Sequence, residues 1–260
     1  MRRRLSNIIR YKDILRYRTL AQLKAESKNN YLGYIWFLLE PLISTAILYV
    51  VFGLIMGNRG SDMVLFILIG MMIWQWFEGS TTLGMNGISE KSGILNTVSI
   101  PKFLFPMVSV LANTWRFIWV YLVVVALAHM LGFYLNWNYL WLPLVLGVQL
   151  FFIIGITLPL AIVVAYMPDF ANLVSSLFRL LFFLSGIFFT VERVPEGALP
   201  YFNLNPVALL MNANRDVLLH AQAPDLSNLF YCFVFGGTAM AVGIGWSVKI
   251  DKKIMKAIPA

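Results

Sequence analysis

Apolar runs of bilayer-spanning length constrain this chain more than any other feature. They fall at 34–56, 63–88, 107–131, 140–166, 173–189 and 229–248. A hydrocarbon core about 30 Å thick is crossed by roughly 20 helical residues. Inside it each backbone polar group must be satisfied within the protein, which a helix does by itself. The composition agrees: 60% of residues are hydrophobic, 12% are charged, and the mean hydropathy is +0.76. A water-soluble domain carries about twice that share of charge. The expected fold is an all-α membrane protein with six transmembrane helices. One membrane domain, 34–248, lies between a cytoplasmic leader, 1–33, and a cytoplasmic basic tail, 249–260.

Charge sets the expected orientation. The formal net charge is +8, and the two terminal flanks together hold thirteen Lys and Arg residues. Lys91 and Lys102 add to this side from the link after the second run, whereas the links on the other side hold only Arg59, Arg193 and Arg215. Cytoplasmic flanks are the basic ones, so both termini are expected inside, which requires an even number of crossings. The basic balance in so apolar a chain points to anionic headgroups and membrane lipids rather than nucleic acid. A cleaved signal peptide is not expected, because the basic leader runs to about Gly33, longer than a signal's charged region.

Three stretches depart from simple spans. In the leader, Leu5, Ile8, Ile9, Tyr11 and Leu15 fall near one face among basic residues, which predicts an amphipathic helix at the cytoplasmic interface. The second run turns polar through Gly79, Ser80, Thr81, Thr82 and Gly84, so its inner half must face protein or water. Between the fifth and sixth runs, the apolar patches 198–202 and 207–211 are too short to cross. They predict re-entrant helices in the outer leaflet.

Few residues suggest chemistry. G-x-x-x-x-G-K-[ST] and G-x-G-x-x-G do not occur, so no P-loop is encoded. His129 and His220 are far apart, and Cys232 is the one cysteine, so neither a metal site nor a serine-hydrolase triad is expected. No cofactor is expected in this chain, and it is not expected to be an enzyme. Arg116 and Arg179 lie inside spans, where an arginine costs roughly 2.5–3.5 kcal/mol. Each either faces an aqueous, anion-bearing path or snorkels to headgroups. Glu40, beside Pro41, either pairs with an arginine of another span or caps backbone freed by the proline. Trp36, Phe37, Trp74, Trp76, Phe182 and Phe183 offer flat faces to sugar rings, though Trp and Tyr also gather at membrane interfaces. Gly237, Ala241 and Gly245 form a small-residue stripe that predicts close packing within or between subunits. A secondary carrier or channel for a small solute remains the competing class.

Two stretches resemble a known family. The segment Leu32-Gly33-Tyr34-Ile35-Trp36-Phe37-Leu38-Leu39-Glu40-Pro41 resembles the L-G-Y-x-W-x-x-x-x-P signature of permease subunits of ABC-2 type polysaccharide exporters. The order Met167-Pro168-Asp169, Phe182-Phe183-Leu184-Ser185-Gly186, Val194-Pro195, Asn205-Pro206 and Arg215 is similar to the same family's fifth span and outer helices. Ile100-Pro101-Lys102 with Pro106 fits its loop after the second span, and Pro168 favours the capsule-type branch. The resemblance implies a bacterial inner-membrane homodimer exporting a lipid-linked polysaccharide (capsular polysaccharide, O-antigen or teichoic acid). Two copies of a separate ATPase would hold ATP and Mg, with periplasmic co-polymerase and outer-membrane export proteins as further partners. Glu90, Lys91, Ser92, Gly93, Ile94, Leu95 and Asn96 would form the ATPase coupling loop. The leader, with Arg10, Arg16 and Arg18, would be a gate helix.

Overall fold

The computed structural model describes residues 2–29, 35–51, 61–89, 101–130, 132 and 136–257. Among them the chain forms nine α-helices and no strand. They are α1 (Arg2–Asn29), α2 (Ile35–Leu48), α3 (Ser61–Asn86), α4 (Leu104–Met130), α5 (Leu142–Tyr166), α6 (Phe170–Leu184), α7 (Leu199–Phe202), α8 (Pro206–Leu218) and α9 (Leu226–Ala257). Four segments are long and apolar enough to cross a bilayer: 62–86, 104–130, 137–166 and 226–247. They coincide with the second, third, fourth and sixth expected spans. Two shorter apolar helices, 38–51 and 170–184, lie where the first and fifth were expected.

The centre of the bundle is α3. Its apolar residues surround the whole helix rather than one stripe, the pattern of a helix enclosed by protein. Leu65, Ile67, Ile69 and Ile73 are fully buried. Helix α4 runs antiparallel to α3. Trp76 stacks on Phe117 with ring centroids 3.9 Å apart and donates its Nε1–H to Thr114 at 3.1 Å; one turn on, Asn113 donates to Ser80 at 2.9 Å. Helix α5 runs parallel to α3, with Gln149 donating to the Ile73 carbonyl and Phe152 packing on Phe77. Helix α6 returns antiparallel, bringing Phe178 and then Phe182 against Trp74. This alternation places the link after α3, the 167–169 turn and the C-terminal end of α9 at one end of the bundle. The 184–226 segment lies at the other. Helix α1 packs against α4 through a face that includes Ile14, Leu15, Arg18 and buried Leu23.

The tightest pairing is between α5 and α9. A Cβ added to Gly155 would overlap the Gly236 carbonyl, one on Gly236 would stand 2.8 Å from Phe152 Cα, and one on Gly243 would stand 2.9 Å from Pro159. Close packing within the chain therefore uses Gly236 and Gly243, not the expected stripe. A Cβ added to Gly237 would meet only the Phe151 ring, Ala241 is exposed, and a Cβ on Gly245 would meet nothing within 4 Å. The start of α9 is fixed by Asp225, whose carboxylate accepts from the Ser227 hydroxyl at 2.6 Å and the Ser227 amide at 2.8 Å. Those bonds, the hydroxyl's first, hold the Asp225 carboxyl below its ordinary range.

The two glycine sites should respond oppositely to one methyl group. Gly236→Ala is expected to cost roughly 1–3 kcal/mol through backbone overlap. Gly245→Ala should be neutral or slightly stabilising, because alanine is the better helix former. Thermal unfolding midpoints of the two variants in one detergent check this.

Candidate functional site

The 184–226 segment is built on one turn. Helix α6 ends at Leu184, five residues before the expected end of its span, because Ser185 leaves the helix and Gly186 takes a positive φ of 69°. A side chain there would also press on the Phe202 ring, 3.0 Å from the added Cβ. Two later residues hold this turn. Asn205 caps α8, accepting from Val207 and Ala208, while its amide donates to Ser185 Oγ at 3.0 Å and the Leu184 carbonyl at 3.3 Å. Arg215, 1% exposed, donates from Nη1 to the Gly186 carbonyl at 2.8 Å and from Nη2 to those of Ile187 at 2.9 Å and Phe66 at 3.1 Å. Its guanidinium lies 3.4 Å over the Phe66 ring. Gly70 makes room for it, since a Cβ there would come 2.5 Å from Nη2. Beside this latch, Tyr121 donates to Asn214, and Asn214 to Gln149, so one buried polar chain links α4, α8 and α5.

Below the latch, a cavity of about 530 Å³ opens between α2, α3 and α4. Its polar lining is Glu40, Gln75, Glu78, Thr82, Asn113 and Arg116. Arg116 stands 12 residues into α4, about 18 Å along the helix. Its side chain is 6% exposed and its Nη1 lies 3.4 Å from Asn113 Oδ1, so it turns into this cavity. Glu78 accepts from Trp74 Nε1 at 2.6 Å and lies within electrostatic reach of Glu40 and Arg179. Arg179 is exposed on α6, in line with Asn172, Ser176 and Phe183 at helical spacing. That leaves a polar stripe beside the leucines at 173, 177, 180 and 184.

The aromatic candidates divide. Trp76 lines the cavity with Phe117, and Trp74 is enclosed by Phe77, Phe178 and Phe182. Trp36 is 48% and Phe183 59% exposed, whereas the Phe37 side chain lies outside the described residues. On α1, Arg16 is exposed and Arg18 half-buried; the Arg10 side chain is not among those described. The coupling loop, Glu90 to Asn96, lies outside the described residues. Among the described residues no group of three His, Cys, Asp or Glu side chains converges as a metal site. Sequence reasoning did not single out Glu78, Gln75 or Asn113. The polar inner half of the second run pointed to this face of α3, but nothing in one sequence shows that Glu78 shares a cavity with Glu40 and Arg116 and lies within electrostatic reach of Arg179.

Residues 17–219 match the family model described as ABC-2 type transporter. The chain is similar to an O-antigen export system permease protein RfbA of Myxococcus xanthus, 24% identical over 231 residues, which is 88% of this chain and 89% of that protein. An RfbA of Klebsiella pneumoniae is 25% identical, over 80% of this chain and 81% of its own length. Polysialic acid transport protein KpsM of Escherichia coli is 24% identical, over 82% and 84%. O-antigen and polysialic acid permeases match at like identity, so the capsule-type branch that Pro168 suggested is not favoured.

Losing the latch should be felt more than losing a cap. Arg215→Ala strands three buried carbonyls and is expected to cost about 3 kcal/mol or more. Asn205→Ala should cost about 1 kcal/mol. Arg215→Lys should fall nearer the alanine variant, because an ammonium cannot reproduce the planar fork. Unfolding midpoints of the three purified variants give the order.

Proposed function

We propose that this chain, which belongs to the ABC-2 type transporter family, is the membrane permease subunit of an ATP-driven exporter of lipid-linked polysaccharide. One observation carries this most: the similarity to O-antigen and polysialic acid export permeases runs over more than 80% of both chains, not over a shared fragment. ATP and Mg would be held by a separate ATPase subunit, two copies of which dock at the 90–96 loop. The absence of a P-loop motif from the sequence suits that division of labour.

The proposed topology has six crossings, with α2 and α6 as the first and fifth. Helix α6, 15 residues, is only about 22 Å long. The latched turn after it would complete the crossing, and α7 and α8 would fold back within the outer leaflet. The end of the bundle that carries Lys102 and the tail of α9 is the basic one, which supports cytoplasmic termini. The membrane is then a bacterial inner membrane, and α1 a gate helix along its cytoplasmic face.

The path would form where two copies meet across α6. An arginine-bearing stripe of Asn172, Ser176 and Arg179 is costly against lipid, and a second copy with water between removes that cost. Arg116 and Arg179 would meet the phosphate of the lipid carrier. Trp36 and Phe183, with Trp76 in the cavity wall, would offer faces to the sugars. Glu40 and Glu78 accept hydrogen bonds and so suit sugar hydroxyls.

Purifying the tagged chain should bring down an ATPase subunit in equal amount. A chain that purifies alone and transports on an ion gradient would favour the carrier class instead. Arg116→Ala is expected to lower surface polysaccharide about tenfold, the effect of one lost charge-assisted contact. ATPase copurification should stay unchanged. Unaltered export in that variant removes Arg116 from the path.

A further inference from the structure

A second cavity, of about 710 Å³, lies between α6 and α9 beneath the 191–205 segment. Its volume is in the range of ligand sites, roughly 300–1,000 Å³. The floor is aromatic: Phe77, Phe152 and Phe178 are buried, with Phe77 centroids 5.3 Å from Phe178 and 5.8 Å from Phe152. The mouth is flanked by Leu184, Tyr201 and Phe235, all exposed. Of the described residues lining the cavity, Arg193 alone is charged.

This arrangement selects its occupant. A buried water needs two to four polar partners, and the floor supplies none. A glycan brings hydroxyl groups that would lose hydration against the phenyl rings without compensation. Phe152 of the floor stands ten residues, about 15 Å, into α5, a helix of spanning length, so in a bilayer the floor lies at acyl-chain depth and the mouth nearer the headgroups. An apolar floor with one guanidinium at the rim fits an amphiphile with a phosphate head. Tyr201 at the mouth is the residue type that sits at headgroup level.

We propose that this cavity is a binding site for a glycerophospholipid of the outer leaflet. One acyl chain lies on the phenylalanine floor and the phosphate pairs with Arg193. The site is separate from the polar cavity of Arg116. It depends on the membrane placement of the chain and not on which cargo is exported. The lipid wedges α6 from α9 and supports the 191–205 segment from below.

Two measurements on the full chain test this. Tyr201→p-benzoylphenylalanine, irradiated in native membranes, should yield an adduct of phospholipid mass. A polyprenyl phosphate adduct or a crosslink to a second copy of the chain would overturn the assignment. Native mass spectrometry of delipidated protein titrated with 1-palmitoyl-2-oleoyl-phosphatidylglycerol should show retention about fivefold weaker in Arg193→Gln than in the parent. Equal retention by both proteins, or tighter retention of an added polyprenyl phosphate than of the phospholipid, would contradict it.

Discussion

The Arg215 guanidinium is the contact on which the 184–226 end of the bundle depends. It is a buried cation bonded to carbonyls from two distant parts of the chain, Phe66 in α3 and Gly186 and Ile187 after α6. Phe66, Gly186 and Ile187 are buried, so their carbonyls have no water to turn to, and one planar fork replaces several separate solutions to the same problem. The position of α6 follows from it. The turn that ends this helix is tied to the central helix through Arg215 and to α8 through Asn205, which fixes where the exposed stripe of α6 points. A charged side chain used this way would suit the re-entrant connection proposed for 184–226.

The candidate path has a different character. Arg116 and Arg179 are accompanied by Glu40 and Glu78, so the polar region carries both signs. A purely cationic path would hold a polyanion as well as pass it. On the proposed path, mixed charge and amide groups would give short-lived contacts to hydroxyls and phosphate alike.

Much of the architecture was legible because lipid is a simple solvent. Spanning length and a polar inner half of the second run are properties of consecutive residues, and spanning length anticipated helices close to α3, α4, α5 and α9. What one sequence could not yield were meetings between residues far apart in it. Gly186, Asn205 and Arg215 could be noted in order, yet nothing local says that the last two grip the turn made by the first. Gly237, Ala241 and Gly245 made the better motif, but Gly236 and Gly243 face α5, because helix rotation is set by the partner and not by spacing alone. Glu78 escaped notice for the same reason. Its significance lies in the cavity it shares with Glu40 and Arg116.

The proposed path requires two copies to meet across α6. With Cys232 replaced by alanine in an exporting strain, Ser176→Cys on α6 and Val242→Cys on α9 can each be treated with a short bis-maleimide in native membranes. Both positions are exposed in the single chain. The account predicts a species of twice the chain mass from Ser176→Cys and none from Val242→Cys. Crosslinking through position 242 but not 176 would place the second copy on the opposite face and contradict it.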